Sequence, residues 1–203
     1  PALSLAAEVK AGHELFVVRH RSPLPEERIR AVHVGVAPVV NGRVVLVEYD
    51  PDWPALYERE AARVRGALGA GVVGLAHVGS TSVPGLAAKP IVDVVLEVVD
   101  SADEASYVPA LEGAGYVLRI REPEWLQHRM FKGPDVNVNL HVFTAGEPEV
   151  GRMVAFRDRL RASEADRVLY ERTKRELAAR EWVYVQQYAD AKAGVVADIL
   201  GRA

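Results

Sequence analysis

Cysteine is absent from the chain, and this removes disulfides, thiolate metal sites and cysteine nucleophiles together. The absence leaves the redox compartment open while fitting a cytoplasmic protein, which is the expected location. A dominant charge of one sign is lacking too. The net charge is −3 over 203 residues and no long basic run occurs, so nothing marks nucleic acid or an anionic membrane as a partner. No stretch reaches the roughly 18–20 apolar residues of a membrane-spanning helix. The opening "PALSLAAEVKAGHELF" lacks the charged-then-apolar order of a signal peptide. What is present is ordinary globular material, 49% hydrophobic and 26% charged, enough to bury a sizeable core as one compact unit with appendages.

Periodicity divides the chain into an N-terminal extension (residues 1–45), an α+β core (46–145) and a helical C-terminal region (146–203) that packs on the core. In the extension, "ELFVVRH" and "AVHVGVAPVV" have strand composition. Asn41-Gly42 between two apolar runs predicts a hairpin with a type I′ turn. The period then changes. Trp53, Leu56, Tyr57, Ala61, Val64 and Leu68 share one helical face, with Asp52 as N-cap and Pro54 in the first turn. "VVGLAHV" and "IVDVVLEV" read as strands around a Gly- and Ser-rich loop. Ser101 and Glu104 have capping-box spacing for a helix that Pro109 either kinks or begins, stopped at Gly115. "YVLRIRE", "HRMFKG" and "VNVNLHVF" are strand-like. Beyond Phe143 the pattern is helical, with a break at Ser163, three residues before Asp166, and a last helix running from Trp182 to Ile199.

Asp93 interrupts an otherwise apolar run. On a strand it shares a face with Ile91, Val95 and Glu97, while Val92, Val94, Leu96 and Val98 face the other way. A strand apolar on both faces is a covered central strand. A carboxylate there needs a partner, whether Lys89, the loop amides, a metal or a ligand in a cleft. The loop supplies one context: Gly79, Ser80, Thr81, Ser82 and Gly85 combine hydroxyls with permissive backbone, which can turn several donors toward one anion. It is equally the composition of an ordinary strand connection, and it is not a P-loop.

The segments "HVGSTSVPGLAAKPIVD", "NLHVF", "FRDRLR", "YERTKREL" and "YADAKAGVVADIL" resemble the GrpB family from about Val44 to the C-terminus. That resemblance implies a polymerase-β-like nucleotidyltransferase fold, a mixed sheet flanked by helices and followed by a helical C-terminal region; a similar domain occurs fused to some dephospho-coenzyme A kinases. The superfamily pattern is a Gly-Ser pair, then Asp-x-Asp or Asp-x-Glu on the next strand, then a third carboxylate on a later one. Gly79-Ser80 and Asp93 match. Val95 stands where the second carboxylate belongs, and Glu97 lies about 13 Å further along the strand. The third position carries Asn139 or His141. The implied site therefore uses Asp93 and His141 as catalytic residues and as ligands to one Mg²⁺ or Mn²⁺. His77, the loop residues 79–82, Lys89 and Arg129 would hold phosphate. Lys174, Tyr188 and Lys192 would close the site from the tail, Tyr188 and Lys192 being four apart on one helical face. The expected partner is a nucleotide or other phosphate-bearing small molecule. Metal-dependent nucleotidyl transfer, binding without chemistry, and a scaffold with a vestigial site all remain open.

Overall fold

The computed structural model describes residues 25–35 and 42–202. Five strands form the central sheet: β2 (Gly74–Val78), β3 (Val92–Val98), β4 (Val117–Glu122), β5 (His128–Lys132) and β6 (Val138–Thr144). Their order is β2-β3-β6-β5-β4. β3 and β6 run parallel and the other neighbours antiparallel, so the sheet is mixed and the protein is α+β. β3 and β6 are central and covered on both faces, which explains their continuous apolar runs.

Alternation along the strands sends residues into two separate cores. Val92, Val94, Leu96, Leu140 and Val142 pack against Trp53 and Val64 of α2 (Trp53–Leu68) and Leu111 of α3 (Val108–Gly113). On the opposite face, Val78, Val95 and Phe143 pack against α4 (Pro148–Ala162), α5 (Glu164–Ala178) and α7 (Ala193–Leu200). Met153, Phe156, Leu160, Tyr170, Val196 and Ile199 supply that second layer.

Local chemistry explains the element ends. Ser163 Oγ accepts the amide of Asp166 at 3.3 Å, capping α5 as its spacing predicts. Asp52 does not cap α2; Asp50 Oδ1 instead accepts the Asp52 amide at 2.9 Å. The Ser101–Glu104 capping box also fails to form. Ser101 Oγ bonds Thr144 Oγ1 at 2.9 Å, Glu104 is drawn to Arg121 and Arg129, and Pro109 sits in the first turn of α3, where its missing N–H costs nothing.

Two expectations are corrected at the ends of the chain. Glu26–Val32 form helix α1, so Ala31 and Val32 are not strand, while His33 makes an isolated bridge to Ile120; Ile29 is buried against Tyr184. Gly42–Arg43, strand β1, pair antiparallel with β7 (Glu181–Trp182). The predicted turn at Asn41, the run before it and "ELFVVRH" fall outside the described residues. The last helix is not continuous, because pairing with β1 takes Trp182 out of it. The remainder forms α6 (Val185–Asp190) and α7, with Ala191 and Lys192 at the junction. Val44 packs with Leu177 and Tyr188, which ties this part of the N-terminal segment to the C-terminal helices. Among the described residues, no helix is long and apolar enough to cross a membrane.

Candidate functional site

The Gly-Ser loop leaves β2 through Gly79, whose φ of +71° favours glycine. A Cβ at this position would lie 2.6 Å from Asp93 Oδ2, so the glycine also permits the carboxylate to sit against the loop. Two loop hydroxyls turn inward. Ser82 Oγ donates to Gly79 O at 2.5 Å. Thr81 Oγ1 donates to Ile91 O at 3.2 Å and accepts from His77 Nε2 at 3.1 Å. These bonds shape the loop and leave Ser80 facing the tail helices.

Between loop and helices lies a cavity of about 80 Å³. Gly79, Ser80, Thr81, Lys89 and Asp93 line it from the core, while Tyr170, Lys174, Tyr188 and Lys192 line it from the C-terminal region. Lys174, only 2% exposed, donates from Nζ to Ser80 Oγ at 3.1 Å and to the Ala87 carbonyl. Lys89 and Lys192 place their Nζ atoms 5.6 and 4.9 Å from the centre of the Tyr188 ring, within cation–π range. The Tyr188 hydroxyl is buried without a hydrogen-bond partner.

Burial pushes Lys89 and Lys192 down to about 8, and each ammonium is further disfavoured or favoured by its neighbours: Lys192 lowers Lys89, and Asp93 raises both. Lys174 is driven well below the ordinary lysine range by burial, with Lys192 and other cations adding to it. For Asp93, burial pushes the carboxyl up, but His141, Asn139 and Lys89 outweigh it and hold it below the usual carboxylate range.

Asp93 is in register with Asn139 of β6, which donates Nδ2–H to Oδ1 at 2.7 Å. His141 Nε2 lies 3.7 Å from the same oxygen, beyond a direct hydrogen bond, and its Nδ1 meets His128 Nε2 at 3.0 Å. His128 Nδ1 in turn bonds Glu122 Oε2 at 2.7 Å. The result is a buried Glu122–His128–His141 chain ending beside Asp93.

Four predicted residues stand outside the cavity wall. His77 is on the opposite face of the sheet, stacked on Tyr57 at 4.9 Å and pushed by burial down to about 4. Arg129 also faces away, pairing with Glu104 at 2.5 Å and donating to the carbonyls of Gln127 and His128. Ser82 serves the loop and not the cavity. His141 is behind Asp93 and outside the cavity wall. Tyr170 and the chain partners Glu122 and His128 are absent from the sequence-based site. Parity along "HRMFKG" carries the signal for His128: it alternates with Met130 and Lys132 against Arg129 and Phe131, and Met130 and Lys132 pair with His141 and Asn139.

A two-metal centre of the superfamily type does not fit these side chains. Asp93 is the one carboxylate lining the cavity, Asn139 takes the neighbouring register position, and Glu97 turns away to accept the Gly146 amide at 3.0 Å. Among the described residues no three His, Cys, Asp or Glu side chains converge to hold an ion, so Asp93 and His141 form an incomplete ligand pair surrounded by lysines.

Comparison with known proteins matches residues 43–202 to the family model described as GrpB protein. A UPF0157 protein of Halalkalibacterium halodurans is 55% identical over 182 residues, 90% of this chain and 93% of that protein. Another from Streptomyces coelicolor is 47% identical, covering 78% and 83%. A dephospho-CoA kinase of Mycolicibacterium paratuberculosis is 32% identical over 52% of this chain and 27% of its own length. The crystal structure of GrpB from Enterococcus faecalis superposes with a TM-score of 0.65 at 27% identity, covering 78% of this chain and 98% of that one, in keeping with a nucleotidyltransferase-like mixed sheet. With its fold, its Gly-Ser loop and some four fifths of its length matched, the chain belongs to the GrpB family.

Proposed function

We propose that the protein binds the phosphoryl group of a small molecule, a nucleotide or a coenzyme-type phosphate compound, in the cavity between the Gly-Ser loop and the C-terminal helices. One observation carries this reading: Lys89, Lys174 and Lys192, from two separate regions of the chain, converge with the Ser80 hydroxyl on a small cavity that contains a single carboxylate. Crowding three lysines around one cavity, Lys174 buried and Lys89 and Lys192 half-buried, disfavours their charged forms without a counter-charge, and an anion supplies it. The size agrees. Sites for whole drug-sized ligands span about 300–1,000 Å³, so about 80 Å³ suits a phosphoryl group whose remainder extends from the mouth. Similarity to a segment of a dephospho-CoA kinase favours a ligand of the nucleotide or coenzyme class.

Calorimetric titration with ATP, dephospho-coenzyme A and adenosine tests the proposal. The two phosphate compounds should bind and adenosine should not, and Lys174→Met should abolish the binding. Equal binding of adenosine, or no binding of either phosphate compound, would refute it. Product analysis of the same mixtures then decides whether transfer accompanies binding.

A further inference from the structure

We infer that the cavity holds the terminal phosphate dianion or diphosphate of its ligand through lysine ammonium groups alone, without a bridging divalent cation. This rests on the phosphoryl-binding reading above and goes beyond it by assigning the counter-charge. A metal-dependent phosphate site uses carboxylates to attract the dication, which then bridges to the phosphate oxygens. Here the carboxylate pattern is depleted and the cationic one enriched. Val95 and Asn139 occupy strand positions beside Asp93, and Lys89, Lys174 and Lys192 reach the cavity. Three lysine amines face one lining carboxylate, and an entering phosphate dianion favours their charged forms, which makes the wall the complement of a phosphomonoester. A dication placed in the same space would meet each ammonium with twice the repulsion of a single charge.

The neighbours of the lysines support the same assignment. Lys89 and Lys192 flank the Tyr188 ring, and Lys174 donates to a hydroxyl and a carbonyl; none of these acceptors carries a negative charge. Asp93 lies beside His141 and also acts on Lys89 and Lys192. Asp190 near Lys192 and Glu171 near Lys174 add to it, yet burial outweighs these carboxylates at all three lysines, so an entering anion is still needed to favour their charged forms. The Tyr188 hydroxyl, buried and without a partner, adds a neutral donor to the same wall.

Pyrophosphate titrated calorimetrically into the full chain, once in EDTA and once in excess Mg²⁺, is the test. Because Mg²⁺ chelates pyrophosphate in solution and the cavity disfavours the dication, binding is expected to be as tight in EDTA as in excess Mg²⁺, or tighter. Binding that appears only with Mg²⁺, or tightens about tenfold or more with it, overturns the inference while leaving phosphoryl recognition intact. Failure to bind under either condition overturns both. Asp93→Asn separates the models a second way: with no metal to lose, removing the negative charge should tighten pyrophosphate binding in EDTA. A site built on a metal at Asp93 would instead lose it. Lys89→Met and Lys192→Met should each weaken binding about tenfold or more, and unchanged affinity in both would also overturn the inference. Circular dichroism confirms that each variant is folded.

Discussion

The two faces of the central sheet are built from the same strands and have opposite characters. Val94, Leu140 and Phe131 lie in one row across β3, β6 and β5, and all three are buried in an apolar core. One residue along, the row reads Asp93, Asn139 and Lys132, three polar side chains of which the first two line the cavity. Both rows obey the same alternation. The difference comes from what covers them: α2 and α3 close the first face completely, while the Gly-Ser loop and the C-terminal helices leave a gap over one end of the second. Polar groups persist in a covered strand where an opening or a network satisfies them.

The contrast is sharpest at Leu140. Leu140→Ala should destabilise the protein by about 2–5 kcal/mol through the cavity it leaves, read as a fall in the urea midpoint. A loss under about 1 kcal/mol would mean that this face is not close-packed.

On the polar face, Asp93→Asn should cost a smaller amount, about 1–3 kcal/mol, because the Asn139 bond and the flanking lysines lose a charged partner. The sign follows from linkage. Asp93 is held below its unfolded-state value, so its contribution is present above an unfolded pKa of about 3.9 and is lost as pH falls through the folded value. Wild type and variant should therefore converge in stability at acid pH. A variant as stable as wild type at neutral pH would mean that Asp93 does not stabilise the fold through Asn139 and the lysines.

Lysine titration gives a third test. Lys89 and Lys192 are lowered to about 8 when the cavity holds no anion. The folded state releases these protons before the unfolded state does, so stability should rise between about pH 8 and about pH 10. Pyrophosphate affinity should move the other way, weakening about tenfold or more over the same interval. Affinity independent of pH there would exclude these ammonium groups from binding. The smallest effect on binding is expected at Arg129. Arg129→Gln should leave pyrophosphate affinity unchanged and reduce stability by about 1–3 kcal/mol, because the buried guanidinium loses its Glu104 and carbonyl bonds; weakened binding would return Arg129 to the site.

Much of this arrangement was legible from local pattern. A carboxylate in a two-sided apolar run marked Asp93, and the Gly-Ser loop marked its neighbour. Capping at Ser163 and the strand pairs around the loop follow from residue chemistry within a few positions. The assignments that failed required knowledge of a second element. His77 joins the site by proximity to the loop and Arg129 by its guanidinium chemistry, yet strand parity sends both to the other face. Ser101 and Asp52 have good capping chemistry, but Ser101 Oγ is taken by Thr144 and Asp52 makes no side-chain cap bond.

Sequence alone determined the family, the alternation of apolar faces and the peculiarity of Asp93, because these depend on spacing along one element. Only the tertiary structure decided which lysines meet. Lys174 and Ser80 are separated by 94 positions, and Lys192 reaches the cavity from the junction between α6 and α7. Such meetings are set by the packing of α5, α6 and α7 over the sheet, where the burial of apolar faces far from the lysines fixes the positions of their charges.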